Sequence, residues 1–260
     1  MIMVFRPYSR HLGRQYAGFT LVEVAVTLAV LGIIASAAAA AYLGLFSASR
    51  TKLVSDASLI SMSGAVIAFA KSHNRLPCPD YLGNGNEGLS NGVCPAFSAS
   101  NQVGWFPYLS VGLAPPAPRL RAIYGVYRTA AADLANAQEH GNDAAGSATY
   151  ADGADLLHAL QIALSQGVSN TEIYLTGDGA TSVESCGSNV VTNPAFVILT
   201  PGEDQDGDGS ALDGIDHGFE VFPSANLCFP SPGRAVDSNF DDRTLAVSFN
   251  TLMAKLNNVL

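Results

Sequence analysis

A single acidic residue, Glu23, lies inside an apolar stretch that runs from Phe19 to Phe46. A carboxylate near the centre of a spanning helix costs about 2.5–3.5 kcal/mol, and less when it lies close to one end. Its chemistry there would be ion pairing, because a cationic group at the same depth offsets the cost of both charges. A cut between Gly18 and Phe19 would create such a cation, an amino group four residues before Glu23, which could pair with the carboxylate of a neighbouring copy.

Residues 1–46 are open to three interpretations. The basic residues Arg6, Arg10 and Arg14 followed by an apolar run are typical of a secretory signal, with a cleavage site in the small-residue run 37–41. The run is also long enough for a signal anchor, since about 20 residues span the hydrocarbon. The third interpretation is a cleavage site before the apolar run, which would give Glu23 a cationic partner in the new amino group.

A second group with chemical potential is the acidic stretch 202–218, "GEDQDGDGSALDGIDHG". Asp204, Asp206 and Asp208 alternate before Gly209, as in the opening of an EF-hand calcium loop. The twelfth position is Ile215 instead of Glu, so a true EF-hand is not expected. Clustered aspartates without a basic neighbour repel one another, which favours a bound cation over a solvated acidic turn.

The chain contains four cysteines, an even number behind a membrane-targeting segment, which predicts disulfides in an oxidising compartment. Of the three connectivities, Cys78–Cys94 with Cys186–Cys228 is favoured, because each pair closes a local loop rich in Gly, Asn or Pro. Zinc is the alternative, but no two cysteines have the C-x₂-C or C-x₄-C spacing.

These groups must be positioned by a long helix and a head. The sequence from Leu45 to Lys71 contains no proline, and Pro77 and Pro79 end the predicted helix, which begins at Phe19. The positions that recur every three or four residues are Leu53, Ala57, Ile60, Gly64, Ile67 and Lys71, and Val54, Leu59, Met62, Val66 and Phe69 broaden this apolar face.

The head is predicted to combine a few strands with two helices. Strands are expected within 120–128, 171–177, 195–200 and 243–249, and the third is apolar enough to be central. Helices are expected at 154–166, with Asp155 in the first turn, and at 251–260, with Asn250 as the N-cap. Trp105, Phe106 and Tyr108 are expected to pack in the core. The predicted fold class is α+β, with one long helix against an antiparallel sheet.

The segment "GFTLVE", from Gly18 to Glu23, resembles the processing motif of type IV prepilins and type II secretion pseudopilins. In that family a short basic leader ends in Gly, Phe follows, and Glu comes four residues later in a long apolar helix. The resemblance implies that prepilin peptidase cuts between Gly18 and Phe19 and N-methylates Phe19, and that Glu23 sets the register of subunits in a filament. "RLPCPD" (75–80) and "GWFPYLSVGL" (104–113) resemble segments that follow the helix in a subgroup of such proteins.

The resemblance also implies a domain organisation and a location. Residues 1–18 would be a cleaved leader, 19–46 a transmembrane and polymerisation segment, 47–73 an amphipathic half-helix, and 74–260 a periplasmic head. The protein would cross the bacterial inner membrane once and then enter a pilus or pseudopilus with other pilin subunits. At 260 residues the chain is large for a major subunit, which favours a minor one.

The major pseudopilins carry a Gly/Asp-rich loop that an aspartate from a later segment closes. "TPGEDQDGDG" followed by "DSNFDDRTL" is similar to it in outline. The resemblance implies calcium, held by the ligands Asp204, Asp206, Asp208 and Asp242, with Asp213, Asp216 and Asp241 in reserve.

Composition excludes some other functions. The chain has 13 basic and 22 acidic residues, and three of the basic ones lie in the first 18 positions, so nucleic-acid binding is not expected. No Walker A motif occurs, and an enzyme is not expected. The alternative function is a calcium-dependent adhesin or binding module presented at a pilus tip or membrane surface.

Overall fold

The computed structural model describes residues 20–136, 138–139, 151–177, 189–204, 209–219, 222, 224, 226–235 and 240–257. The predicted cleavage position between Gly18 and Phe19 lies outside these residues, as do Asp206, Asp208 and Cys186. The chain forms two compact units, Met1–Lys52 and Leu53–Leu260.

The described residues form helices, two small sheets and three short 3-10 helices. The α-helices are α1 (Leu21–His73), α2 (Gly153–Ser165) and α3 (Phe249–Asn257). The strands are β1 (Val103–Trp105), β2 (Ile123–Val126), β3 (Tyr174–Thr176), β4 (Val190–Thr192), β5 (Phe196–Thr200), β6 (Cys228–Pro230) and β7 (Arg243–Val247). The 3-10 helices are Ala99–Asn101, Pro118–Leu120 and Gly214–Phe219.

Helix α1 has different surroundings at its two ends. From Leu21 to Ala39 every side chain is exposed, although nearly all are apolar. From Leu59 onward one face is buried in the core of the second unit, through Leu59, Met62, Ser63, Val66, Ile67, Phe69 and Ala70. Ala57, Ile60, Gly64 and Lys71 were predicted to belong to this face but are exposed, because the buried face is centred one position earlier in the helix.

The end of α1 follows from local backbone chemistry. Asn74 adopts a positive φ of 55° and its N–H donates to the Ala70 carbonyl oxygen at 2.9 Å, which is how a helix ends in a left-handed residue. Pro77 cannot continue the helix. The chain then pairs with a distant segment, since the Leu76 N–H donates to the Leu134 carbonyl.

The larger sheet is antiparallel throughout, in the order β1-β2-β5-β7. Strand β5 is internal and fully buried, as its continuous apolar sequence predicts. Strand β2 is buried as well, and its Gly125 is required by close packing: a Cβ there would lie 2.9 Å from Val197 Cγ1 and 3.1 Å from the Phe229 ring. Glycine at this position lets an aromatic ring of β6 pack directly on β2.

The smaller sheet has the order β4-β3-β6 and mixes an antiparallel pair, β3–β4, with a parallel pair, β3–β6. The fold is α+β, as predicted, but the sequence analysis missed β1, β4 and β6. Each is only three residues long, so it lacks the periodicity that identifies a strand. Phe106 and Tyr108 are buried as predicted, whereas Trp105 is only half-buried.

The caps of the two head helices are formed by side chains. Asp152 accepts from the Ala154 N–H at 2.6 Å, and the Asp155 carboxylate accepts from the Asp152 N–H at 2.8 Å, so α2 begins with a reciprocal capping box. Asn250 was predicted to cap the last helix, and this is wrong. The helix starts at Phe249, and the Ser248 hydroxyl accepts from the Thr251 N–H at 3.2 Å in the capping position.

A disulfide joins Cys78 to Cys94, the pairing favoured from the sequence, with Cα atoms 5.7 Å apart. Closing a loop of this length stabilises the fold by about 3 kcal/mol through the entropy of the unfolded chain. Glu87 organises the interior of the loop. It accepts from the Cys78 N–H at 2.6 Å and pairs with Arg75, whose Nη1 also lies 2.6 Å from it.

A buried ion pair lies just after β2. The Arg128 side chain is fully buried, and its Nε and Nη2 each donate to the Asp133 carboxylate at 2.7 Å. Arg128 Nη2 also donates to the Pro95 carbonyl at 2.6 Å, and its Nη1 donates to the Asn101 carbonyl at 3.1 Å. This fully paired guanidinium links the residues that follow β2 to the segment that follows the disulfide loop.

Replacing Asp133 by Ala should destabilise the head strongly, because it leaves a buried guanidinium without its counter-charge. We expect a loss of about 3–5 kcal/mol in the free energy of unfolding, measured by urea denaturation. Lys71→Ala, on the exposed side of α1, is the control and should change stability by about 0.5 kcal/mol or less. Equal effects of the two substitutions would contradict this role for the Arg128–Asp133 pair.

Candidate functional site

The first turn of α1 holds Glu23 through a reciprocal pair of contacts with Thr20. The Thr20 hydroxyl oxygen accepts from the Glu23 N–H at 3.3 Å. Glu23 Oε2 in turn accepts from the Thr20 N–H at 3.3 Å and from the Thr20 hydroxyl at 3.4 Å. This is the capping box of a Thr-x-x-Glu sequence, and it places the carboxylate at the positive end of the helix.

The cap matters because of what surrounds it. The first N–H groups of a helix have no intrahelical partner, and in lipid no water is present to satisfy them. Thr27, one turn further on, donates to the Glu23 and Val24 carbonyls at 3.0 and 2.9 Å. Within the described part of the helix start, these polar side chains are therefore bonded to the helix itself, and Glu23 lacks a counter-charge there.

The helix that begins here is long and apolar enough to cross a membrane. The stretch Leu21–Ala39 comprises 19 residues and none of it is buried. At 1.5 Å per residue it is about 28 Å long, close to the roughly 30 Å of a bilayer's hydrocarbon core. Glu23 therefore lies near one end of the candidate span, where an acidic group costs least.

The family model described as the prokaryotic N-terminal methylation motif matches residues 13–39. The chain carries a prepilin-type N-terminus. The match covers Gly18, Phe19, Glu23 and the exposed part of the helix, and it fits a type IV prepilin- or pseudopilin-like protein. No match was found among curated proteins or among solved structures. The prepilin-type motif points to a structural, pilin-like protein.

The second candidate site of this prepilin-like chain is an acidic cluster in the head. Asp213, Asp241 and Asp242 each present a carboxylate oxygen, and these oxygens lie within 4.8 Å of one another. Strands β5 and β7 are antiparallel neighbours, and the last residues that they pair are Thr200 and Arg243. Residues 201–204 and 241–242 therefore lie at the same end of these two strands. Three carboxylates at this spacing could hold a metal ion.

Backbone donors hold the cluster together. The two oxygens of Asp242 accept from the Gly202 N–H and the Asp213 N–H, both at 2.9 Å. The Asp241 carboxylate accepts from the Glu203 N–H at 3.0 Å. A Cβ at position 202 would collide with Asp241 Oδ1, so a larger residue there would displace the Asp241 carboxylate.

Asp216 is fully buried beside the cluster, and neither of its oxygens has a hydrogen-bond partner in the described structure. Burial, reinforced by the charge of Asp242, raises the pKa of Asp216 well above its usual range. Burial likewise raises the pKa of Asp242 to about 7, although its backbone donors act in the opposite direction. The compensating charge nearby is Arg234, whose guanidinium carbon lies 3.5 Å from the centroid of the Phe240 ring.

Four of the aspartates predicted as calcium ligands therefore lie close together in the structure. Asp242 was favoured, and Asp213, Asp216 and Asp241 were reserves. Asp204 accepts from the Gly209 N–H at 2.9 Å and is not one of the three clustered carboxylates, so its role as a ligand stays a prediction. Asp206 and Asp208 lie outside the described residues. Cys228 is disulfide-bonded, and its pairing with Cys186 also stays a prediction.

Replacing Thr20 by Ala should loosen the start of α1, because it removes both the acceptor for the Glu23 N–H and a donor to its carboxylate. Loss of such a cap costs about 0.5–2 kcal/mol, so amide hydrogen exchange at residues 22–24 in detergent should accelerate by several-fold. Thr27→Ala is the matched control, because that hydroxyl only bonds to carbonyls inside the helix. Equal acceleration in both variants would show that Thr20 has no capping role.

Proposed function

We propose that this chain is a structural subunit, a minor pilin or pseudopilin, which is assembled into a type IV pilus or a type II secretion pseudopilus. The observation that carries the proposal is the coincidence of the matched motif with a capped glutamate at the start of an exposed apolar helix. The function is polymerisation by helix packing, and other pilin or pseudopilin subunits are the partners.

Processing would prepare the chain for assembly. Prepilin peptidase would cut between Gly18 and Phe19 and methylate the new amino group of Phe19. The capping box leaves Glu23 satisfied by hydrogen bonds but without a counter-charge, and the amino group of an incoming neighbour would supply it. Because each charge is costly alone in lipid, their pairing favours one register of subunits.

The charges and the disulfide support a location. Arg6, Arg10 and Arg14 precede the helix, and basic residues favour the cytoplasmic side of a membrane. The head would then lie in the bacterial periplasm, where the Cys78–Cys94 disulfide is stable. The size of the head favours a minor subunit over one that packs densely along a filament. Nothing in the described residues or the comparisons supports the alternative of an adhesin.

Replacing Glu23 by Ala tests the assembly role. We expect a chain that is still inserted in the membrane but is lost, tenfold or more, from sheared or purified filaments, because the register-setting pair cannot form. The measurement is the ratio of filament-associated to membrane-associated protein by immunoblot. Ser36→Ala, which also removes a polar group from the same span, is the control. It should leave this ratio unchanged, since the Ser36 hydroxyl donates to the Ile33 carbonyl of its own helix. Normal incorporation of the Glu23 variant would contradict the proposal.

The acidic cluster of the head is proposed to bind calcium. Carboxylate oxygens suit a hard cation, and Asp213, Asp241 and Asp242 are already held by backbone donors at a common point. The fully buried Asp216 supports this assignment, because a cation beside it would stabilise the charged carboxylate that burial and the charge of Asp242 disfavour. Asp204, Asp206 and Asp208 are the proposed further ligands from the acidic loop.

Calcium at one hundred times its dissociation constant should add about 2.7 kcal/mol to the stability of the head. For a domain of this size that corresponds to a rise in melting temperature of about 5–10 °C, measured by calorimetry with calcium and with a chelator. Asp242→Asn should abolish the rise. Glu203→Gln, which removes an exposed charge outside the cluster, should keep it. The same melting temperature with calcium and with chelator in the wild-type protein would exclude the site.

A further inference from the structure

A cavity of about 210 Å³ lies in the head, and the carboxylates of the acidic cluster are not among the residues that line it. The 3-10 turn Pro118–Leu120 and the segment 209–212 form two of its sides. Its apolar wall includes Trp105, Pro118, Pro201 and Leu212, and its polar groups include the side chains of Arg119 and Arg121. Among the described residues that line it, none is acidic.

The two arginines of the cavity differ from Arg75 and Arg128 in that they form no ion pair within the described residues. Arg75 and Arg128 form ion pairs with Glu87 and Asp133. Arg119 and Arg121, in contrast, have no carboxylate within 4 Å in the described part of the chain. This is notable in a protein with 22 acidic residues and a net charge of −9.

Each of the two guanidiniums is anchored by a carbonyl and keeps donors to spare. Arg119 Nη2 donates to the Gly209 carbonyl at 2.8 Å, and Arg121 Nη1 donates to the Gly83 carbonyl. Arg121 Nε is buried and has no acceptor. A guanidinium has five N–H donors, so most donors of the two arginines remain available to an added acceptor.

The geometry points to an organic carboxylate as the ligand. A guanidinium presents donors in a planar fork that matches a carboxylate. The wall of tryptophan, proline and leucine suits a short carbon skeleton better than an inorganic phosphate, because most of its surface is apolar. We propose that this cavity binds a carboxylate on a short carbon skeleton, supplied by a free organic acid or by a glutamate side chain of another polypeptide. The inference goes beyond the proposed function and does not depend on it.

Trp105 makes the site directly observable, because it is the single tryptophan of the chain. The full-length protein in detergent is titrated with N-acetylglutamate α-amide and, separately, with galacturonate, while tryptophan fluorescence is recorded. The uncharged counterparts, N-acetylglutamine amide and galactose, are the matched control ligands. Inorganic phosphate at equal ionic strength is the third probe. We expect a saturable fluorescence change with at least one carboxylate and none with its uncharged counterpart.

Two variants connect the signal to the guanidiniums. Arg119→Gln should weaken binding by about tenfold or more, the effect of losing a charge-assisted hydrogen bond, and because Arg119 is exposed the fold should tolerate the change. Arg121→Gln should have at least the same effect. If this variant fails to fold because the Gly83 contact is lost, Arg119→Gln decides alone. Lys255→Gln, which removes one exposed positive charge on α3, should leave affinity unchanged.

The outcomes separate the two sources of the carboxylate. Saturation by galacturonate alone assigns a free acid, saturation by the glutamate derivative alone assigns a side chain, and saturation by both supports the shared chemistry. The inference is overturned if neither carboxylate changes the fluorescence, if phosphate matches them, or if Arg119→Gln binds as tightly as the wild type.

Discussion

The structure depends on how one carboxylate is accommodated in an apolar helix. Thr20 and the first N–H groups of α1 satisfy the hydrogen bonding of Glu23, but they carry no full positive charge. A capping box can therefore stabilise the isolated subunit, while the electrostatic cost of the carboxylate persists until a cation reaches it. The exposed apolar surface that follows, from Leu21 to Ala39, is long enough to cross a membrane. In the proposed function, lipid would cover it before assembly and neighbouring helices would cover it afterwards.

The head shows the contrast between polar groups that support the fold and polar groups that suit a ligand. Asp80 accepts from three backbone N–H groups, Glu87 bonds to Arg75 and Cys78, and Arg128 has partners for each of its three nitrogens. These residues are satisfied and rigidify the disulfide loop against β2. Asp216, in contrast, is buried beside the acidic cluster, and both of its oxygens lack a hydrogen-bond donor. Arg121 is half-buried in the arginine-lined cavity, and its buried Nε lacks an acceptor.

The parts of the fold that depend on neighbouring residues in the sequence could be predicted. The helix α1, its end before Pro77, the buried strand β5 and the Cys78–Cys94 pair follow from apolar periodicity, proline chemistry and a loop rich in turn residues. The short strands β4 and β6 could not be found, because the parallel β3–β6 pair joins residues more than 50 positions apart and three residues carry no pattern. Ser248, not Asn250, caps α3, because β7 ends at Val247 and the helix begins at Phe249. The acidic cluster was predicted in the right region, with Asp242 as a favoured ligand and Asp213 and Asp241 only in reserve. That these three meet depends on the β5–β7 pairing and on the bond from the Asp213 N–H to Asp242, which the sequence does not show.

The central claim is that the chain becomes competent for assembly when a charged amino group is created four residues before Glu23. The most direct measurement is the N-terminal sequence and intact mass of the protein purified from its native membrane. The account predicts a mature chain that begins at Phe19 and carries one methyl group on its amino nitrogen. A chain that begins at Met1, or one cut within residues 37–41, would contradict it.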